Sequence, residues 1–117
     1  MSVKKESNII IGVELDENNV PQGIKWTAED GNVKDSAAKA FLLSIWDEKE
    51  KNTMKVDLWT KEMQIEEMKQ FFHQTLLTMA DTFERATGEK NICEDLRDYC
   101  YHFADKMNIL PAQEKEL

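Results

Sequence analysis

The spacing of the apolar residues changes once along the chain, near Thr60. Before this point apolar and polar residues alternate in short runs, as in strands that bury one face. After it, apolar residues recur every three or four positions, which is the spacing of an amphipathic helix. The 117 residues therefore predict a single α+β domain, with a sheet over about residues 6–60 and a helical hairpin over about 63–108.

The first part of the chain predicts two β-hairpins. Residues 9–15 and 24–28 alternate on either side of a stretch rich in turn formers. Residues 37–46 fit either a helical stripe or a strand, and the alternation that follows favours the strand, about 39–47 paired with 53–60. Three apolar pairs then share one face: Ile45 with Met54, Leu43 with Val56 and Phe41 with Leu58. The result is a mostly antiparallel four-stranded sheet, with residues 29–40 left open as a loop, a helical turn or part of a strand.

The second part predicts two helices, about 63–87 and 92–108. Gly88 is a typical stop for the first, and Asn91 with Glu94 resembles a capping box for the second. The short connection makes the helices antiparallel neighbours that cover one face of the sheet, in the order ββββαα, and residues 112–117 form a polar tail. The stripes expected in the core are Ile65, Met68, Phe72, Leu76, Met79 and Phe83 on the first helix, and Ile92, Leu96, Tyr99, Phe103 and Met107 on the second.

The charge of the chain excludes two classes of partner. Fifteen Lys and Arg face 23 Asp and Glu, for a formal charge of −8. Nucleic acid and anionic membrane surfaces both require a basic face, so neither is expected to bind. The sequence contains no apolar run long enough for a secretory signal or for insertion into a membrane, so we expect a cytoplasmic protein.

Residue types that carry chemistry are few. The glycines are scattered, so no phosphate-binding loop or cofactor site is indicated. A small-molecule or metal site would require His73, Cys93 and Cys100 to converge across the helical hairpin, and no metal-ligand spacing supports it. A boundary His73 hydrogen-bonded across the helices is the favoured interpretation. Cys100 and His102 face apart on a helix, and the two cysteines are about 10 Å apart, so we predict no enzymatic activity, no metal and no disulfide.

Several large apolar residues lie outside the predicted core. Strand alternation places four of them on the sheet face opposite the helices, and three more lie outside the helical stripes. The candidate partner surface consists of Ile10, Leu42, Trp46, Trp59, Phe71, Leu77 and Tyr101. Aromatic residues are enriched in interface cores, which favours a protein partner or a homodimer contact. Coverage by the N-terminal arm or by residues 29–38 is the alternative.

The sequence also resembles a known family. The segments VELDENNVPQGIKWTAEDG (13–31), KAFLLSIWD (39–47), KVDLWTKEM (55–63), MKQFFHQTLLTMADTFERATGE (68–89) and LRDYCYHFADKM (96–107) resemble the gliding motility-associated GldC family of Bacteroidota. Gln64 departs from the proline expected in many relatives, which affects only the start of the helix. The resemblance implies an accessory protein of the gliding machinery, without catalytic residues, on its cytoplasmic side. A homodimeric chaperone-like role is a further possibility by analogy of fold.

Overall fold

The computed structural model of the protein describes residues 5–109, which divide between Met63 and Gln64 into two compact units. The first unit is all β and the second all α, which confirms the α+β class. The strands are β1 (Ile9–Leu15), β2 (Pro21–Ala28), β3 (Val33–Ala38), β4 (Ala40–Asp47) and β5 (Asn52–Trp59). The predicted single sheet of four strands is wrong, because β1, β2 and β3 form one antiparallel sheet and β4 and β5 form another.

The β1–β2 hairpin is confirmed, and its turn is held by one carboxylate. Asp16 accepts hydrogen bonds from the backbone N–H groups of Asn18 at 2.8 Å and of Val20 at 3.0 Å. Asn19 between them has a φ of 61°, a conformation that Asn tolerates better than most residues. The turn residues therefore fix where β2 begins, at Pro21 and not at the predicted position 24.

β3 is the strand that the sequence left undecided. Its residues, VKDSAA, include few that favour strands. Pairing with β2 supplies the missing hydrogen bonds, in a register that sets Ala38 opposite Ile24 and Ser36 opposite Trp26. Asp35 interrupts the strand with a φ of 48°, and its N–H donates to the Thr27 hydroxyl at 3.0 Å. The partner strand, more than local propensity, makes this segment extended.

The β4–β5 hairpin has the predicted register. Ile45 pairs with Met54, Leu43 with Val56 and Phe41 with Leu58. Only Lys39 separates β3 from β4, and its carbonyl accepts the Thr60 N–H at 2.8 Å. The first half of residues 33–47 thus pairs with β2 and the second half pairs with β5.

The second unit contains α1 (Ile65–Thr87) and α2 (Lys90–Lys106). Gly88 ends α1 as predicted, in the left-handed region with a φ of 74°. The predicted capping box of α2 is wrong, because α2 starts at Lys90 and both of its proposed residues lie inside the helix. The reciprocal motif occurs instead on α1, where the Glu67 carboxylate accepts the Gln64 N–H at 3.1 Å.

Three expectations stay predictions. They are that residues 1–117 form a single domain, that the helical hairpin covers one face of a sheet, and that residues 112–117 form a polar tail. The tail lies outside the described residues.

Candidate interaction surfaces

The two helices meet along a seam whose most deeply buried residues are small. On α2 the seam residues are spaced four, three and four positions apart, which is the 3.5-residue repeat of supercoiled helices. His73, Ala80, Cys93, Cys100 and Ala104 are all buried there. We define the seam as His73, Leu77, Ala80 and Glu84 of α1 with Cys93, Arg97, Cys100 and Ala104 of α2.

The predicted core stripes lie beside this seam and not within it. Each stripe is offset from the seam by one residue toward the N-terminus, or about 100° around the helix. Met79, for example, is 55% exposed although its neighbour Ala80 is fully buried. The expectation that the stripe residues are buried is therefore wrong for those that the structure leaves exposed: Ile65, Phe72, Met79, Phe83, Ile92 and Tyr99. We call these six residues the hairpin face.

The offsets of the two helices place their stripes on one side of the hairpin. A shift of one residue turns a helix by the same angle in each case, but α1 and α2 run in opposite directions. Viewed from one end, the two rotations therefore have opposite senses, and both stripes swing to the same side of the seam. The hairpin face is thus continuous across both helices.

Arg97 connects the two helices at the seam. Its guanidinium lies 2.8 Å from the Asp81 carboxylate and 2.9 Å from that of Glu84, both on α1. Glu94, one turn earlier on α2, lies 3.0 Å away. The hydrogen bonds to Asp81 and Glu84 raise the pKa of Arg97 above its ordinary value. This network fixes the axial register of the two helices. Its three carboxylates and one guanidinium leave the site with a net negative charge.

His73, Cys93 and Cys100, the residues considered for a metal or small-molecule site, do not converge on one point. The His73 ring is buried and stacks on Phe103 across the hairpin with ring centres 6.3 Å apart, so it is an interior residue and not a boundary one. Cys93 and Cys100 are free and buried, and burial raises the pKa of both thiols. They lie two turns, about 10 Å, apart on α2, too far to share one metal ion. Within residues 5–109, no three His, Cys, Asp or Glu side chains are grouped so that they could hold a metal.

Two exposed indoles lie on one face of the β4–β5 hairpin. Trp46 is 68% exposed and Trp59 is 58% exposed. Trp46 pairs with Thr53 and Trp59 with Ala40, so the indoles are at opposite ends of the hairpin, about 20 Å apart. Leu42 lies between them and is half-buried. We call Leu42, Trp46 and Trp59 the tryptophan face.

The other predicted surface residues are distributed elsewhere. Ile10 is exposed but belongs to β1, in the other sheet. On the helices, Phe71 is half-buried and packs edge-to-face on Phe72 with ring centres 6.4 Å apart. Leu77 is half-buried at the seam, whereas Tyr101 is exposed. The seven predicted residues are therefore divided between two sheets and two helices, and their role in binding stays a prediction.

Comparison with known families assigns the chain. A family model described as gliding motility-associated protein GldC-like matches residues 21–109. The chain belongs to the GldC-like family. This confirms the resemblance seen in the sequence and makes the protein gliding motility-associated.

The GldC-like match covers most of the described structure. It runs from the first residue of β2 to the end of the described chain, and so includes the tryptophan face, the seam and the hairpin face. It does not include β1, which carries Ile10. No curated protein and no solved structure matches the chain. No helix in the described part of the chain is both long and apolar enough to span a membrane.

Proposed function

We propose that this GldC-like protein is a non-enzymatic accessory factor of the gliding machinery, which works as a protein–protein interaction module on its cytoplasmic side. The tryptophan face is the proposed partner surface. The observation that carries the proposal is the exposure of Trp46 and Trp59 on the same face of one hairpin. Large aromatic side chains held on a regular strand pair are rigid anchors for a partner.

The geometry of the tryptophan face favours an extended partner segment. The separation of about 20 Å between the indoles corresponds to about six residues of extended chain. Leu42 and the Lys55–Asp57 ion pair, whose charged atoms are 3.4 Å apart, lie between the anchors on the same face. A segment with an apolar side chain near each end would cover both indoles. The formal charge of −8 favours a basic partner, because opposite charges accelerate the encounter.

The two cysteines support the non-enzymatic role and the cytoplasmic location. A thiol reacts as its thiolate, and burial of Cys93 and Cys100 raises the pKa of each. Neither is therefore suited to nucleophilic catalysis. Free cysteines are also typical of a reducing compartment, which supports a location in the cytoplasm.

The test is affinity capture from gliding cells with variants of the full chain. Trp46→Lys and Trp59→Lys each place a charge where the proposal requires an apolar anchor. Asn52→Lys, at an exposed position of β5 whose side chain points to the opposite face, is the matched control. We expect wild type and control to enrich the same motility component, and each tryptophan variant to lose at least about tenfold of it.

Circular dichroism of all three variants verifies that the fold is intact. Undiminished capture by both folded tryptophan variants would rule out the tryptophan face as the partner surface. Capture of no motility component by the wild type would rule out the accessory role.

A second candidate is the homodimeric, chaperone-like role. The hairpin face favours it, because six large apolar residues on one side of two helices form a broad hydrophobic surface. Such a surface suits either a second copy of the chain or an unfolded client.

A further inference from the structure

We infer that the hairpin face binds a second copy of this chain, so that two helical hairpins form an antiparallel four-helix bundle. The inference uses residues of the second unit only and is independent of the tryptophan face. It commits to a second copy because the size, direction and bordering residues of the hairpin face all fit one.

The size of the hairpin face matches a stable dimer. The 23 residues of α1 extend for about 34 Å and the 17 residues of α2 for about 26 Å. Two packed helices are about 20 Å wide, so the face has a projected area of about 600 Å². Because side chains roughen this area, it approaches the roughly 800 Å² that each partner buries in a typical stable interface.

The direction of the helices also fits. A two-fold axis parallel to the helices would place α1 of one chain against α2 of the other. Since α1 and α2 are antiparallel within a chain, every pair of adjacent helices in the bundle is then antiparallel, the common arrangement of four-helix bundles. Each helix of such a bundle buries two adjoining sets of residues, and the seam and the stripe beside it would be these two sets.

The residues that border the stripes are compatible across this contact. Helical spacing places Thr75 and Thr82 at the outer border of the α1 stripe, and Asp95, His102 and Lys106 at the outer border of the α2 stripe. The Thr75 hydroxyl donates to the Phe71 carbonyl at 2.7 Å, so its hydrogen-bonding need is met within the helix. In the two-fold arrangement the border with Asp95, His102 and Lys106 meets the threonine border of the other chain, and the two Asp95 carboxylates stay apart.

Light scattering after gel filtration tests the inference on the full chain. We expect the wild type at twice the monomer mass of 13.6 kDa. Met79→Glu, in the hairpin face, should halve the measured mass with the helical circular dichroism retained. Gln74→Glu adds the same charge on the opposite side of α1 and should leave the dimer intact. A monomeric wild type, or a folded Met79→Glu variant that stays dimeric, would overturn the inference.

Chemical cross-linking keeps the test decisive if Met79→Glu does not fold. Ala86 and Asp95 are exposed, and they point away from each other at the outer borders of one hairpin, about 15 Å apart. In the bundle, Ala86 of one chain lies beside Asp95 of the other. An Ala86→Cys, Asp95→Cys variant treated with a short bismaleimide should therefore run at twice the monomer mass on a denaturing gel. Product at the monomer mass alone would contradict the bundle.

The two proposals can fail separately. Trp46→Lys should abolish partner capture without changing the mass measured by light scattering. Met79→Glu should lower the measured mass to that of the monomer. Loss of both properties in Trp46→Lys would contradict their independence.

Discussion

The Lys61 ammonium lies 2.5 Å from the Asp16 carboxylate, and this contact joins the second residue after the β4–β5 hairpin to the turn between β1 and β2. The same carboxylate accepts the Asn18 and Val20 N–H groups. The contact with Lys61, followed by these backbone bonds, lowers the pKa of Asp16 from 3.8 to about 2. One charged side chain thus connects a turn of the three-stranded sheet to the end of the two-stranded one.

This relationship predicts a pH dependence of stability. Because the folded pKa of Asp16 is depressed, its contribution to the free energy of unfolding is fully present above about pH 4 and is lost as the pH falls toward 2. Asp16→Asn should therefore lower the urea midpoint at neutral pH and make its decrease between pH 4 and 2 shallower. Glu17→Gln, in the same turn, should follow the wild-type curve. Parallel curves for wild type and Asp16→Asn would contradict this role.

Removal of the Arg97 guanidinium should weaken the helical hairpin. Arg97→Met keeps much of the side-chain length but leaves Asp81, Glu84 and Glu94 without their shared cation. We expect a lower urea midpoint that partly recovers in high salt, because salt screens the repulsion between the carboxylates. Arg85→Met, at an exposed position in the last turn of α1, is the control and should change the midpoint little. Equal midpoints for the two variants would assign no stabilising role to the network.

Enlargement of a seam residue should disrupt the close approach of the helices. Ala80 is fully buried, so Ala80→Leu adds volume where none is free and should reduce the free energy of unfolding by about 1–3 kcal/mol. The same change at exposed Ala86, also on α1, should stay within about 0.5 kcal/mol. Chemical denaturation of both variants measures the difference, and equal stabilities would show that the seam is not closely packed.

The connection between the helices depends on a left-handed residue. Gly88 has a φ of 74°, and a Cβ built there meets no atom within 4 Å, so the cost of a side chain comes from the backbone alone. Gly88→Ala should destabilise the protein by about 1–2 kcal/mol, and Gly88→Asn by less, because Asn tolerates this conformation better. Thermal unfolding of the two variants in parallel gives the order. A more stable alanine variant would contradict it.

The local pattern predicted those elements whose residues alternate or repeat strongly. The register of β4 and β5 follows from three apolar pairs, since a shift of one residue would move all of them to the other face. The end of α1 follows from Gly88 for an equally local reason. β3 could not be predicted in this way, because its hydrogen bonds come from β2 and few of its own residues favour a strand.

The candidate surfaces could also be predicted only in part from the sequence. The exposure of Trp46 and Trp59 was predictable from alternation, whereas their separation along the hairpin depends on the register that sets Trp59 opposite Ala40. The seam had a faint signal, the spacing of Cys93, Arg97, Cys100 and Ala104, which the larger side chains one residue earlier obscured. A hydrophobicity pattern gives most weight to large apolar side chains. Helix packing also favours small side chains, because they let the two backbones approach closely.

By itself the sequence determined the α+β class, the positions of both helices, four of the five strands and the GldC-like resemblance, because each depends on local spacing or on residue identity. Only the tertiary structure decided that residues 33–38 form a strand, that the strands form two sheets, and that the helices meet through Ala80 and Cys100 and not through Met79 and Tyr99. These outcomes depend on partners distant in the sequence. Periodicity shows that a helix or strand has an apolar side, but which side packs is settled by the shape and hydrogen bonds of the neighbouring element.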